Sequence, residues 1–282
     1  MKKKRKFDKN IIINIMLVAI FLLGLSIMLY PTVSDWWNSM HQSRAVASYV
    51  EKVKDLSAEQ REKMYKEAVA YNKKLSKQQT HYNLTEDELV EYNNTLDIIG
   101  TGIMGYIEID KVGIKLPIYH GVDEAILQIA VGHIAGSALP VGGKSTHCVL
   151  SGHSGLPSAR LFTDINKLVV GDKFVMTVLD HTLTYEVDQI RIVLPDELSD
   201  LRIEEGQDYC TLVTCTPYGV NTHRLLVRGH RVANDLVVDV SNVGADAIQI
   251  DPIMVIPIMV AVILVLIIVA AYILNRRKKK KK

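Results

Sequence analysis

The chain has 282 residues, of which 48% are hydrophobic and 23% are charged, and its formal net charge is +2. This length suits one sizeable domain or two small ones, and the composition is too apolar for a disordered chain. Three cysteines are too few for a fold that is built on disulfides.

Apolar runs without any charge lie near both ends of the chain. Residues 11–30 form a run of twenty, and residues 253–274 form a second run of twenty-two. At about 1.5 Å per helical residue, each run covers about 30 Å, the thickness of the hydrocarbon core of a bilayer. The sequence therefore predicts a transmembrane helix at each end. Whether the first run is a retained anchor or a cleaved signal peptide stays open, although no small-x-small cleavage site follows it.

Basic tails flank the two runs, at residues 1–10 and 275–282. Segments rich in Lys and Arg stay on the cytoplasmic side of a membrane. The predicted topology therefore holds both tails inside the cell and places residues 31–252 on the extracellular face. Without the thirteen basic residues and one acidic residue of the tails, the net charge is about −10, which argues against a nucleic-acid partner.

Residues 31–99 are predicted to form an extracellular helical region. Ser57 and Gln60 have the spacing of a capping box at a helix start. The helix that follows has apolar residues at three- and four-residue spacing, namely Met64, Ala68, Tyr71 and Leu75. We expect this region to be a solvated stalk or a support that packs on the next domain.

Residues 100–235 have a different sequence pattern, in which short β-rich runs are separated by Gly and Pro. Many short strands at this spacing predict a mainly β fold, either a closed barrel or a sandwich-like antiparallel sheet. Residues 236–252 are then a linker to the second transmembrane helix.

Cys215 ends a β-rich run, 209–215, and a turn of sequence TPYG follows it. A hairpin-like return of the chain places Arg224 beside Cys215 across the sheet. Cys210 lies five positions earlier, so strict alternation directs it to the opposite face.

His153 follows a third β-rich run, 148–151, in a turn that glycines flank. Cys215, His153 and Arg224 together supply a nucleophile, a proton-transfer group and a fixed cation. A thiolate needs its charge compensated, and the oxyanion of an acyl transfer needs a preorganised donor, so the trio suits nucleophilic catalysis. The alternative interpretation is that Cys215 is a small structural hydrophobe.

The residues around Cys215 resemble a known family. Residues 211–215 read TLVTC, which resembles the TLxTC signature of sortases, and Arg224 follows nine residues later as the arginine of that family does. The stretch 214–229 is similar to class C, the pilin-polymerising branch. Further similar blocks are LPIYHG at 116–121, LSGHSGLP at 150–157 and LFTD at 161–164.

The resemblance implies a sortase-type closed β-barrel and a cysteine transpeptidase with Cys215, His153 and Arg224 as catalytic residues. Cys215 would attack the Thr–Gly carbonyl of an LPxTG-like motif and form a thioester, while His153 transfers protons and Arg224 holds the oxyanion. The acceptor in class C is a lysine amine of another pilin subunit, so the product is a covalent pilus. This mechanism implies neither a metal nor an organic cofactor.

The sequence departs from class C in one respect. These enzymes usually carry a lid before the barrel, with an Asp-Pro-aromatic motif that plugs the active site. The only Asp-Pro pair in this chain is Asp251-Pro252. The lid region within residues 31–99 therefore lacks the usual plug, and the sequence leaves open whether residues 80–98 cover the groove in another way.

For the remaining histidines and cysteines, surface or structural roles are expected. No zinc site is predicted, because neither CxxC nor HExxH spacing exists among His133, His147, His153, Cys148, Cys210 and Cys215. Surface or satisfied structural roles are expected for the histidines that have no partner pattern, which are His120, His181 and His230. A Cys148–Cys210 disulfide stays open, because sequence alone does not establish its geometry.

Two alternative functions stay open at this point. The first is a sortase that anchors LPxTG proteins to peptidoglycan, with a cell-wall amine as the acceptor. The second is a non-enzymatic, membrane-anchored binding module in which Cys215 is structural.

Overall fold

The structure, a computed structural model, describes residues 9–77, 82–98 and 100–234. The predicted linker 236–252, the second predicted transmembrane helix 253–274 and the C-terminal tail lie outside these residues, as does most of the N-terminal tail.

Within the described residues, helices precede a barrel of eight strands. The helices are α1 (Lys9–Asp55), α2 (Ala58–Leu75), α3 (Glu86–Asn94) and the short α4 (Glu124–Leu127). The strands are β1 (Ile103–Ile109), β2 (Ile114–His120), β3 (Val131–His133), β4 (Thr146–Ser151), β5 (Lys173–Val178), β6 (His181–Val193), β7 (Asp208–Thr216) and β8 (His223–Val232).

Helix α1 continues well past the predicted transmembrane run. It is one helix of 47 residues, and Pro31 lies inside it. A proline within a helix removes a backbone hydrogen bond and costs about 3 kcal/mol or more, so local rules favour a helix boundary there. Tertiary packing offsets this cost, because Val46, Tyr49 and Val53 in the second half of α1 are buried in the hydrophobic core.

The first half of α1 is apolar and exposed. Residues Met16–Asp55 of α1 form the one helix in the described part of the chain that is long and apolar enough to cross a membrane. The most apolar window has a mean hydropathy of 2.2, and none of it is buried by protein. This observation agrees with the first predicted transmembrane run, 11–30.

Helices α2 and α3 pack on the barrel rather than standing free of it. The predicted capping box of α2 is confirmed, since Gln60 N donates to Ser57 Oγ (3.2 Å) and Ser57 N donates to Gln60 Oε1 (2.8 Å). Further along α2, Asn72 exchanges two hydrogen bonds with the backbone of Leu139. The helical region is therefore a support for the barrel, which was one of the two expected roles.

The sheet closes in the order β1-β2-β3-β4-β7-β8-β6-β5. This confirms the prediction of a mainly β, closed barrel. The sequence predicts antiparallel pairing, but β2 pairs with β3 and β4 pairs with β7 in parallel. Parallel neighbours need a long crossover connection, and β5 and β6 lie between β4 and β7 in the chain. Local strand patterns do not reveal such a pairing.

The Tyr49 hydroxyl ties α1 to the barrel, so Tyr49→Phe is expected to destabilise the fold. Tyr49 is 1% exposed, and its hydroxyl donates to Met104 O (2.9 Å) and accepts from Leu179 N (2.7 Å). Phenylalanine leaves both backbone groups buried and unpaired, at a cost of about 1–3 kcal/mol. Urea unfolding in detergent measures this loss. Tyr218→Phe is the matched control, because Tyr218 is 70% exposed, and equal stability of the two variants would contradict the tie.

Candidate active site

Cys215 and Arg224 lie opposite each other on neighbouring strands. β7 and β8 are antiparallel, and their register pairs Cys215 with Arg224 directly. This is the arrangement that the predicted hairpin requires. Directly paired residues have Cβ atoms about 4.5–5.5 Å apart, so the sulfur and the guanidinium share one small region of surface.

Both side chains lie on the outer face of the barrel. Leu212 and Leu225 of β7 and β8 belong to the main core, whereas Val213 and Leu226 belong to a separate outer cluster. Alternation along the strands places Cys215 on the same face as Val213. Cys215 is partly exposed, as a residue that reacts with a peptide must be.

Cys210 lies on the opposite, inner face, as alternation predicts, and is fully buried. It lies directly opposite Cys148 in the parallel pair of β4 and β7, and both residues are free thiols. Burial raises the pKa of the Cys210 thiol, so this sulfur is poorly suited to act as a nucleophile.

The turn that contains His153 is hydrogen-bonded to β7, the strand that carries Cys215. β4 runs parallel to β7 with Ser151 opposite Val213, so two more residues along the chain bring His153 level with Cys215. Gly152 N donates to Val213 O (3.1 Å), which holds the turn against β7.

Two contacts of Gly152 set the position of the His153 turn. Thr214 Oγ1 donates to Gly152 O (2.7 Å). The ring of Phe162 lies so close that a Cβ at Gly152 would be 2.8 Å from it. Only glycine allows this approach, and Phe162 N also donates to His153 O (3.0 Å).

One imidazole nitrogen of His153 makes no hydrogen bond with the described residues. The side chain of His153 is 25% exposed, and Nε2 is shielded from solvent without a hydrogen-bond partner among the described residues. The nearest carboxylate oxygen, Glu124 Oε2, is 3.7 Å from Nε2, beyond normal hydrogen-bond distance. Sequence reasoning did not identify Glu124, because α4 carries no motif that associates it with His153.

The guanidinium of Arg224 is anchored by its own loop. Its Nη1 donates to Asn221 O (3.2 Å) and to His223 O (3.1 Å). No carboxylate pairs with Arg224 in the part of the chain that the structure describes. The cation is therefore available to an incoming carbonyl or oxyanion.

The turn after Cys215 closes one side of the site. The ring of Tyr218 packs on Gly155, where an added Cβ would lie 2.7 Å from it. Gly155 has φ +80°, a conformation that glycine adopts without strain. The β7–β8 loop and the His153 turn are thus in direct contact.

An apolar strip lies on the outer face beside Cys215. Four side chains form it: Val149, Leu201, Val213 and Leu226. Tyr82, from the segment between α2 and α3, packs against this strip, and its hydroxyl donates to Leu201 O (2.9 Å). Since Val213 is two residues from Cys215 on the same face, Tyr82 packs on the outer face that also carries Cys215. The segment lacks an Asp-Pro-aromatic motif but contributes a different aromatic ring.

The buried histidines have structural partners. His120 hydrogen-bonds with Gly102 O and Thr95 O, and His147 with Arg202 O and Thr211 Oγ1. Burial lowers the pKa of both imidazoles and favours their neutral forms. The expected satisfied structural role of His120 is confirmed.

A thiol reagent is expected to label Cys215 readily in the folded chain and to leave the other two cysteines unmodified. Cys148 and Cys210 are 2% and 0% exposed, whereas Cys215 is partly exposed. Mass spectrometry of proteolytic peptides measures the rate at each position. Slow labelling at Cys215 that becomes fast in Tyr82→Ala would contradict free access and identify Tyr82 as a plug.

Deletion of residues 80–98 would test access to Cys215 less cleanly than the Tyr82→Ala substitution does. Tyr92 is fully buried, and its hydroxyl hydrogen-bonds with His133 and with Gly121 N. Loss of Tyr92 would damage the core, so a single substitution at Tyr82 is the cleaner variant.

Comparison with known proteins identifies the fold. A family model described as the sortase domain matches residues 107–232. The crystal structure of sortase C1 from Streptococcus agalactiae is 54% identical, covers 68% of this chain and 100% of its own, and superposes with a TM-score of 0.67. Sortase C from Clostridium perfringens, solved with the C-terminal cell wall sorting motif, is 42% identical, covers 68% and 99%, and has a TM-score of 0.61.

A curated relative, sortase D from Bacillus subtilis, is 30% identical over 131 residues, which are 45% of this chain and 63% of that protein. The matched segment thus spans less than two thirds of this relative. The chain belongs to the sortase family, whose members are cysteine transpeptidases. Within the family, the solved structures that it resembles at 38–54% identity include several class C sortases.

Proposed function

We propose that the chain is a membrane-anchored cysteine transpeptidase that cleaves an LPxTG-like motif and joins pilin subunits. The observation that supports this proposal is the placement of three residues next to one another at the ends of neighbouring strands. Cys215 lies opposite Arg224, and the turn that carries His153 is hydrogen-bonded to the same strand at the same level.

The reaction would have two halves. In the first, the Cys215 thiolate attacks the carbonyl carbon of the motif threonine, the bond to the glycine nitrogen breaks, and His153 gives a proton to the leaving amine. The product is a thioester on Cys215. In the second half, His153 takes a proton from an incoming lysine amine, which attacks the thioester and releases the thiolate.

Arg224 would stabilise the charge that develops on the carbonyl oxygen. Each half passes through a tetrahedral oxyanion, and a preorganised donor aimed at that oxygen stabilises the transition state. The backbone carbonyls that hold Nη1 orient the guanidinium before the substrate arrives. The absence of a paired carboxylate among the described residues leaves its charge uncompensated in the free enzyme.

A pilin lysine is the proposed acceptor because of the relatives that the chain resembles. They include sortase C from Streptococcus pneumoniae, at 39% identity, whose structure is described in terms of pilin substrate specificity. The Clostridium perfringens sortase C structure supports an LPxTG-like donor, because it contains a cell wall sorting motif.

The chain would act at the outer face of the cell membrane. The apolar half of α1 provides a helix that can anchor it. The basic N-terminal tail favours a cytoplasmic position for that tail, which places the barrel outside.

Reconstitution of the full chain with a pilin that bears both the motif and acceptor lysines tests the proposal. The expected product is a ladder of covalent multimers with a bond between a threonine carbonyl and a lysine amine. If the pilin were found only as monomers joined to a peptidoglycan amine, the acceptor would be a cell-wall amine rather than a pilin lysine. A bound but uncleaved motif would favour a non-enzymatic binding module and overturn the proposal.

A further inference from the structure

Helix α1 fixes the barrel at a defined height above the apolar run. The helix continues without interruption from Lys9 to Asp55, and the apolar run ends at Tyr30. A residue n positions beyond Tyr30 therefore lies about 1.5n Å further along the helix axis. Any part of the barrel that is hydrogen-bonded to a residue of α1 therefore lies at about the height of that residue above the apolar run.

The loops around His153 are bonded to the part of α1 nearest the apolar run. Asp35 Oδ1 accepts from Arg160 N (2.8 Å), and Asn38 Nδ2 donates to Ser158 O (2.7 Å). Both partners belong to the connection that follows His153. Asp35 and Asn38 lie about 8 and 12 Å beyond Tyr30 along the helix, and a tilt of the helix lowers these heights.

The opposite end of the barrel is bonded much further along α1. Tyr49, about 28 Å beyond Tyr30, accepts from Leu179 N. Leu179 lies in the turn between β5 and β6, and β6 ends at Val193, which pairs with Arg224. We call the end where β4, β6 and β7 finish the site end. Helix α1 therefore runs along the barrel from the site end to the opposite end.

The site end is rimmed by exposed apolar side chains. Its loops and strand ends contain Ile192, Leu194, Tyr218 and Val220, each 62–70% exposed. By contrast, none of the exposed large apolar side chains in the described residues lies in the opposite-end connections 140–145, 179–180 and 202–207. The apolar surface thus lies at the end that α1 holds nearest to its apolar run.

Trp36 is a second indication of a lipid interface. It lies about 9 Å beyond Tyr30 along the helix and is 45% exposed. Tryptophan is enriched where hydrocarbon meets water. The headgroup layer is about 5–8 Å thick on each side of the hydrocarbon core, so Trp36 and the bonded Asp35 lie at its outer boundary.

We propose that the site end of the barrel rests on the lipid surface, so that the groove with Cys215 opens at the level of the headgroups. The apolar rim would contact the interface, and the opposite end would point away from it. This inference rests on the membrane anchoring proposed above and not on the transpeptidation chemistry. Its consequence is that a donor motif must reach the site at the membrane surface.

Tryptophan quenching in vesicles tests the orientation, because the chain has only Trp36 and Trp37. In a background of Trp36→Phe and Trp37→Phe, a reporter is placed at the site end by Val220→Trp. The matched reporter is Lys144→Trp, in the loop before β4, and the length of β7 separates these loops by about 26 Å. The full chain is reconstituted in phosphatidylcholine–phosphatidylglycerol vesicles, in which the quencher is a nitroxide on the lipid headgroup.

The expected result is a loss of at least half of the fluorescence for Val220→Trp and a loss below a tenth for Lys144→Trp. Ile192→Trp provides a second site-end reporter in case the first variant misfolds, and circular dichroism checks each fold. Equal, weak quenching of the site-end and opposite-end reporters would overturn the orientation. Failure of the unmodified chain to float with vesicles, with Trp36 and Trp37 unquenched, would overturn the anchoring itself. Neither result depends on enzymatic turnover.

Discussion

Cys215→Ala is expected to abolish both cleavage of an LPxTG-like peptide and formation of pilin multimers. The reaction depends on a covalent acyl-enzyme, and alanine has no atom that can form it. Loss of a catalytic nucleophile lowers turnover by on the order of 10⁶-fold. Mass spectrometry of the enzyme after incubation with the peptide should find a thioester adduct on the unmodified chain and none on the variant.

The matched control for this substitution is Cys148→Ala. Cys148 lies on β4, is 2% exposed, and faces Cys210 inside the barrel. This variant should retain the adduct and its turnover within a few-fold. Normal turnover by Cys215→Ala, or loss of the adduct only in Cys148→Ala, would contradict the assignment of the nucleophile.

Arg224→Lys is expected to lower the transpeptidation rate by about a hundred- to a thousandfold, the scale of losing one oxyanion donor. Lysine keeps the positive charge but loses the planar group with several fixed donors. The two carbonyl bonds that orient Nη1, to Asn221 and His223, would also change. The effect should fall mainly on kcat, since the interaction strengthens in the transition state.

Arg231→Lys serves as the control on the same strand. Arg231 lies seven residues further along β8, where its guanidinium packs near Tyr185 and donates to Thr184 O. Its substitution should leave kcat unchanged and affect stability at most. A correctly folded Arg224→Lys enzyme with near-normal kcat would remove the oxyanion role.

The pairing of Cys215 with Arg224 could be predicted because it is local. The two residues are nine positions apart, and a turn that contains Pro217 and Gly219 separates two β-rich runs. A hairpin of this length leaves few registers, so sequence reasoning reached the observed pairing. The side on which Cys210 lies follows from the same alternation.

Contacts between distant segments could not be predicted in this way. Tyr82 hydrogen-bonds with Leu201, which is 119 residues later in the chain. The segment of Tyr82 carries no lid motif, so its position over the outer strip depends on how α2 and α3 pack. The position of Glu124 near His153 could not be predicted either. Glu124 lies in the single helical turn α4 after β2, and no local sequence pattern indicates that this turn lies near His153.

Helix α1 illustrates a limit of local rules. Pro31 and the end of the apolar run favour a boundary, and the structure has none. The burial of Val46, Tyr49 and Val53 against the barrel stabilises the second half of the helix more than the proline destabilises it. This continuity is what gives the site end its height above the apolar run.

By itself, the sequence determined the apolar anchor at the N-terminus, the β-rich half of the chain and the hairpin that joins a thiol to a guanidinium. These features depend on the period of apolar residues and on short-range geometry, and residues that are close together in the sequence determine both. Only the tertiary structure decided that β4 lies parallel to β7, which brings the turn of His153 level with Cys215, and that α1 holds the site end nearest to its apolar half. Such arrangements depend on which surfaces bury each other across long separations, and no local pattern encodes that choice.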